Sequence, residues 1–424
     1  MSHDEEKGDD SLPAISQGCS SEDDPAKKVR LSTFQGIVLN FTTSWFTFSM
    51  GTGIVAVMLR KLPYQFTGLD IITHVVFVFH IVTFLIIISI SALRYLWWPR
   101  VFLLMLNHPI QSLFLGAIPI AVSTIVDYLV IALVPYWGQG FAIFAWVLWW
   151  INIALAFGIA ISLMFIQFTR HANSLETFNA LWLLPIVCII VAAGAGSIVA
   201  SVIPMQHAKL TIVLSYVALG MGFSIAFMVT TIYYMRLMIH KIPLGGSVFS
   251  AFLPLGVFSQ SAFATLNLAS TAREVFMKHG ESIISPNVIS SDTAGFFSEA
   301  MYASTIPIAL MLWGFAVIWL VLAIFFIIDI VSVSKIGFTL AWWGVTFPVG
   351  VFAVATSEIS NSLGSGFFRV LATIITLGET MTWLMMLLLT LYNLPRNRLF
   401  IAPYLQEDGG IPPVQATLRR KYEF

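Results

Sequence analysis

The sequence predicts an all-α polytopic membrane protein, with ten transmembrane helices arranged as five helical hairpins around a central pore. Of its 424 residues, 58% are hydrophobic and only 10% are charged, whereas a soluble globular domain carries about a quarter charged residues. Apolar runs of the roughly 20 residues that span a bilayer recur along the chain. Glycine and proline are concentrated in every second run. This composition excludes a water-soluble enzyme, a nucleic-acid-binding protein and a disordered protein.

Two polar segments flank the apolar part of the chain and predict its domain boundaries. Residues 1–35 are rich in Asp, Glu, Gly and Ser, which predicts a disordered tail without the apolar run of a signal peptide. Residues 36–394 form the predicted ten-helix transporter domain, and residues 395–424 form a second polar tail. Lys and Arg are more numerous on the side that carries the tails, so both termini are predicted to be cytosolic. That excess comes from the tails themselves, because the loops alone are balanced.

Ten hydrophobic segments lie between the tails and are joined by short loops. They cover residues 41–59, 69–96, 111–134, 140–168, 178–203, 210–238, 250–272, 300–331, 337–359 and 367–393. The longest predicted connection is 273–299. Each segment is predicted to be a helix, because lipid cannot satisfy backbone N–H and C=O groups and a helix satisfies its own.

The segments alternate in composition, and this alternation predicts two layers. Odd segments carry Gly, Pro and small polar residues, as in Ser49-Met50-Gly51-Thr52-Gly53 and Gly116-Ala117-Ile118-Pro119, whereas even segments are bulky, as in Phe84-Leu85-Ile86-Ile87-Ile88. A proline in mid-helix frees a carbonyl group that lipid cannot satisfy but water in a cavity can. The odd segments are therefore predicted to form an inner ring and the even segments a lipid-facing ring. The alternative is that Gly and Pro serve tight helix packing.

Small polar groups on the odd segments are the predicted anion-binding residues. No Lys or Arg lies near the centre of a segment, and conduction requires weak, distributed sites rather than one tight one. The predicted pore-lining residues are Ser49, Thr52, Ser123, Thr124, Ser197, Ser259, Gln260 and Thr346, with Arg273 as an attractor of anions at the outer end of the seventh segment. The alternatives are hydroxyls bonded to their own helix backbone and an arginine that snorkels to the interface.

Two ionisable residues lie near the centres of even segments, His80 in the second and Glu379 in the tenth. Such groups inside a membrane are functional candidates, and a histidine can couple protons near neutral pH. The alternatives are that the two residues pair with each other or form local hydrogen bonds. The eight His are scattered without an HxxxH or HExxH pattern, and Cys19 and Cys188 lie far apart in the sequence. The sequence therefore predicts no catalytic residues, no metal and no cofactor. A membrane enzyme and a seven-helix receptor are disfavoured alternatives.

Four stretches in or near the odd segments carry longer motifs. They are Asn40-Phe41-Thr42-Thr43-Ser44-Trp45-Phe46, Asn107-His108-Pro109-Ile110-Gln111-Ser112-Leu113-Phe114-Leu115-Gly116, Leu253-Pro254-Leu255-Gly256 with Gln260, and Trp342-Trp343-Gly344-Val345-Thr346-Phe347-Pro348-Val349-Gly350. Together they resemble the tellurite-resistance/dicarboxylate transporter superfamily, which includes slow anion channels, and within it the fungal sulfite efflux pump branch. Ser261-Ala262 departs from that branch, in which small glycines are usual.

The resemblance implies a function and a gate. It implies export of a small inorganic anion, sulfite or bisulfite, across the plasma membrane by a multi-pass protein that forms a homotrimer. The remaining alternative within the superfamily is a proton-coupled carrier of malate or another C4-dicarboxylate. Phe347 corresponds to a pore-plugging phenylalanine, since an aromatic ring in a narrow pore excludes water and blocks ions. The alternative is a packing side chain, one of 35 Phe.

Overall fold

The computed structural model describes residues 33–243, 245–279, 291–333, 336–397 and 399–405, and these residues are helical with connecting turns and no β-strand. Nine helical stretches within them are long and apolar enough to cross a membrane, and Trp45–Arg60 is a shorter apolar helix. The predicted all-α polytopic membrane class is confirmed, while the count of ten spans stays a prediction. Most of both predicted tails lies outside the described residues.

Ten principal helices are labelled in chain order. They are α1 (Trp45–Arg60), α2 (Leu69–Trp97), α3 (Ala117–Tyr128), α4 (Gln139–Thr169), α5 (Leu184–Ala200), α6 (Met205–His240), α7 (Leu253–His279), α8 (Ser291–Val333), α9 (Thr346–Leu363) and α10 (Gly366–Asn393). Helix α7 runs further than predicted and α8 begins inside the predicted connection 273–299, because polar helix ends carry no hydropathy signal. Two short helices, Thr33–Leu39 and Pro99–Asn107, were not predicted.

The prolines of the odd helices lie at their beginnings rather than at their centres. Pro185 and Pro254 are the second residues of α5 and α7, and Pro119 and Pro348 are the third residues of α3 and α9. Proline is tolerated in a first turn, where its missing N–H has no partner in any case. A 3₁₀ segment leads into each of these four helices, so each proline lies where a helical stretch changes from 3₁₀ to α-helix and not in the middle of an α-helix. The prolines mark where the inner helices start.

The odd helices form a closed ring in chain order. Helix α1 packs against α3 and α9, α3 against α5, α5 against α7, and α7 against α9. Each even helix packs outside this ring against an odd neighbour. Every residue of α5 is buried, whereas large apolar side chains of the even helices are exposed, among them Ile71, Phe168, Met228, Met311 and Leu388. The predicted inner and outer layers are confirmed.

Glycines let α1 approach both of its ring neighbours closely. A Cβ atom placed on Gly51 would lie 2.0 Å from Oγ1 of Thr346 on α9. A Cβ atom on Gly53 would lie 2.1 Å from Oγ1 of Thr124 on α3. Small residues at a helix interface allow backbones to pack closely within a membrane. The packing alternative is therefore correct for these glycines, alongside the two-layer arrangement.

Glycines also allow close packing at the other interfaces of the ring. A Cβ atom on Gly116, directly before α3, would lie 2.5 Å from the backbone oxygen of Leu184 on α5. A Cβ atom on Gly194 of α5 would lie 2.5 Å from Nε2 of Gln260 on α7. On Gly256 of α7 it would lie 3.3 Å from the Pro348 ring of α9. All five interfaces of the ring thus contain a glycine against a neighbouring helix.

We expect Gly116→Ala to destabilise the protein by about 2 kcal/mol. The added methyl group would meet the backbone of Leu184 and Pro185, which cannot rotate away as a side chain can. Gly158→Ala on α4 is the control, because open space surrounds Gly158 and alanine favours a helix by about 1 kcal/mol over glycine. Thermal unfolding of the purified proteins measures both. Equal melting temperatures would contradict the close approach of α3 and α5.

Candidate functional site

A cavity of about 370 Å³ opens at the face of the ring where the five odd helices begin. The segments that lead into all five helices line it. Representative lining residues are Thr47 and Met50 for α1, Gln111 and Phe114 for α3, Leu181 and Leu184 for α5, Ser250 and Leu253 for α7, and Thr339 and Gly344 for α9. We call this cavity the vestibule. Its position on the ring axis follows from the contribution of all five helices.

The chain after α10 forms part of the vestibule wall. Leu399, Ile401 and Pro403 line the cavity, while Ala402 and Leu405 are buried. These residues fall within the segment predicted as a polar tail. The described part of that segment therefore packs on the helices.

The wall of the vestibule is mainly apolar, with several hydroxyl groups and no charged side chain among its lining residues. Thr47 Oγ1 donates to the backbone oxygen of Ser44 (2.7 Å), and Ser250 Oγ donates to that of Ser247 (2.7 Å). Five helices begin at this cavity, and the N-terminal end of a helix carries a partial positive charge. The vestibule therefore favours an anion over a cation without binding it tightly.

Phe347 points from α9 into the ring. On the opposite face of α9, the Phe352 ring stacks on Trp313 of α8 with centroids 5.5 Å apart. Trp313 Nε1 donates to Oγ1 of Thr356 (2.9 Å) on that same face. At about 100° per residue, Phe347 lies about 140° around the helix from Phe352. Its side chain is only 1% exposed, so the ring interior is closed just beyond the vestibule.

Even helices engage two of the predicted lining hydroxyls. Thr52 donates to the backbone oxygen of Phe48 (2.9 Å) and accepts from Nε1 of Trp383 on α10 (3.2 Å). Ser123 accepts from Nδ2 of Asn152 on α4 (2.8 Å). Both hydroxyls therefore face outer helices, and their hydrogen bonds attach the ring to the outer layer.

Four other predicted residues lie at interfaces between odd helices. Thr124, Thr346 and Gln260 pack against the glycines described above. Thr124 and Thr346 each donate to a carbonyl of the preceding turn, those of Ala121 and Trp343. Ser197 of α5 accepts from Nδ2 of Asn267 on α7 (2.6 Å). These groups lie within the ring, between its helices.

Ser49, Ser259 and Arg273 complete the predicted lining set. Ser49 and Ser259 are fully buried, and their hydroxyl oxygens have no hydrogen-bond partner within the described residues. Arg273 forms an ion pair with Glu299 of α8 (2.8 Å) and lies over the Tyr302 ring. Its charge is therefore directed toward α8 rather than the ring axis.

His80 and Glu379 are both buried. Cε1 of His80 would lie 2.5 Å from a Cβ atom on Gly53, so His80 reaches the junction of α1 and α3. Within the part of the chain that the structure describes, the two ring nitrogens of His80 have no hydrogen-bond partner. The same is true of Oε1 of Glu379. The structure does not pair the two residues. Proton coupling through them stays a prediction.

A charged cluster that was not predicted from the sequence lies at the opposite end of the ring. Lys61, directly after α1, forms an ion pair with Glu358 of α9. Its Nζ atom lies 4.8 Å from the centroid of the Phe263 ring on α7. The available signal was that charged residues end or follow several odd segments. Within the described residues, no group of three His, Cys, Asp or Glu could hold a metal ion.

Comparison with known proteins places the chain in a family. The voltage-dependent anion channel family matches residues 40–391. The sulfite efflux pump of Arthroderma benhamiae is 37% identical over 364 residues, which are 86% of this chain and 93% of the pump. The sulfite efflux pump of Trichophyton rubrum shows the same identity and coverage. The malic acid transport protein of Schizosaccharomyces pombe is 25% identical over 375 residues, or 88% of this chain and 83% of that protein.

The family match extends from the start of the first predicted motif almost to the end of α10. It therefore includes the whole ring, the outer helices and Phe347. The superfamily resemblance of the four sequence motifs is confirmed, and this multi-pass membrane protein belongs to the voltage-dependent anion channel family.

Proposed function

We propose that this protein exports sulfite or bisulfite from the cytosol along the axis of the five-helix ring. The observation that carries the proposal is the uncharged vestibule at the start of all five odd helices, with hydroxyl groups set in a mainly apolar wall. Relatives named sulfite efflux pumps, 37% identical over most of the chain, support this cargo. Weak dipolar attraction suits conduction, because a tightly bound anion would leave slowly.

Malate or another C4-dicarboxylate is the second candidate cargo, favoured by the 25% identity to a malic acid transport protein. A dicarboxylate has two charged ends and would gain most from a fixed cation at each end. The vestibule wall offers no Lys or Arg among its lining residues. The smaller anion therefore fits this cavity better.

Topology and assembly are part of the same proposal. With both termini in the cytosol, the vestibule faces the cytosol and collects the anion for export across the plasma membrane. The exposed apolar side chains of the even helices suit contact with lipid and with neighbouring subunits of a homotrimer. Cross-linking in native membranes would yield trimers, whereas monomers alone would contradict this assembly.

Flux from loaded proteoliposomes tests the cargo. We expect purified protein to release sulfite faster than malate at equal concentration, because the vestibule lacks a second anchoring charge. Protein-free liposomes provide the background for both anions. Malate release that equals or exceeds sulfite release would contradict sulfite as the preferred cargo and favour the dicarboxylate.

Phe347 is proposed as the gate, and Phe347→Ala is expected to raise sulfite flux about tenfold or more by removing the ring that excludes water from the axis. Phe352→Ala is the matched control, because it removes the same side chain from the opposite face of α9, where Phe352 stacks on Trp313. The control should leave flux near that of the wild type. If both variants fold and show wild-type flux, Phe347 is not the gate.

A further inference from the structure

We propose that Lys61 is an anion-binding residue at the far end of the axial path, and that Glu358 occupies it when no anion is present. The inference rests on the proposed function, since it assigns a second site on the route that sulfite would take. In the structure, the Lys61 ammonium forms an ion pair with Glu358. Permeation then requires the anion to replace this carboxylate as the partner of Lys61.

The contacts of Lys61 place its ammonium on the ring axis. Nζ lies 4.8 Å from the Phe263 ring centroid on α7 and contacts Glu358 on α9. Helices α1 and α7 are not ring neighbours, because α9 separates them on one side and α3 and α5 on the other. A side chain of α1 that contacts α7 must therefore reach across the centre.

The surroundings hold the ammonium in this position. Ser357 Oγ donates to the backbone oxygen of Lys61 (2.9 Å), which fixes the end of α1 against α9. The face of the Phe263 ring attracts the cation. Phe263 also packs against α5, since its Cε1 would lie 3.3 Å from a Cβ atom on Gly194. Side chains or backbone from α1, α5, α7 and α9 thus meet at this point.

The Lys61–Glu358 pair differs from the ion pair that precedes it in the sequence. The Lys61 and Glu358 side chains are 15% and 20% exposed, whereas those of Arg60 and Asp70 are 23% and 60% exposed. An exposed ion pair contributes little, but charges in a partly buried site interact strongly. An anion on this route would therefore interact more strongly with the Lys61–Glu358 pair than with the Arg60–Asp70 pair.

The charge balance of the pair decides what each substitution does. Neutralising Glu358 would leave the Lys61 ammonium without its partner, whereas neutralising Lys61 would leave the Glu358 carboxylate alone in front of the anion.

Sulfite flux in proteoliposomes tests the proposal with three variants. We expect Glu358→Gln to raise flux about tenfold, because it frees Lys61 for the anion. Lys61→Gln should lower flux about tenfold for the opposite reason. The double variant should carry clearly less than Glu358→Gln, because it lacks both the blocking carboxylate and the attracting ammonium.

The double variant distinguishes a Lys61 that binds the anion from an ion pair that only blocks the path. If its flux equals that of Glu358→Gln, Lys61 does not bind the anion and the proposal is overturned, as it is if all variants match the wild type. The double variant leaves no new unpaired charge from the pair, so it remains informative if Lys61→Gln fails to fold. Asp70→Asn is the control and should not change flux. The same order is expected with chloride, so a failure of the sulfite assignment would not be mistaken for a failure of the Lys61 site.

Discussion

The structure depends on the close approach of five helices within one ring. At four of the five interfaces, a single added carbon atom on a glycine would lie 2.0 to 2.5 Å from the neighbouring helix. Helices that meet at this distance are held by backbone and short side chains, so the diameter of the ring is set by the chain itself. In the proposed function, opening the axis would therefore depend on side chains such as Phe347, while the ring remains as it is.

Polar groups connect the two layers more than they line the axis. The indole N–H of Trp343 donates to Thr390 of α10 (3.0 Å), and that of Trp149 on α4 donates to the backbone oxygen of Ala192 on α5 (2.8 Å). The bonds from Trp313 and Trp383 to threonines of α9 and α1 follow the same pattern. Lipid offers no competing partner for these groups, so each bond attaches one helix to the next. Fewer polar groups are therefore left to line the axis.

The layers could be predicted from sequence because burial in a membrane follows composition. Gly116 and Gly194 lie in runs of small residues that a lipid-facing helix does not need, and this indicated the inner ring. The directions of side chains could not be predicted, since Thr52 and Thr124 belong to the same composition class but face α10 and α1. The pairing of Lys61 with Glu358 joins residues 297 positions apart. Hydropathy records only that each lies near a helix end.

Three of the inner helices are short, and this affects how the membrane potential falls across the ring. Helices α1, α5 and α9 have 16, 17 and 18 residues, or roughly 25 Å at 1.5 Å per residue, against about 30 Å of hydrocarbon. The outer helices α2 and α4 have 29 and 31 residues. Because the vestibule admits solution into one end of the ring, the electric field drops mainly across the packed part of the ring beyond it. An anion that crosses this section would experience most of the potential there, about 2.3 kcal/mol per elementary charge at 100 mV.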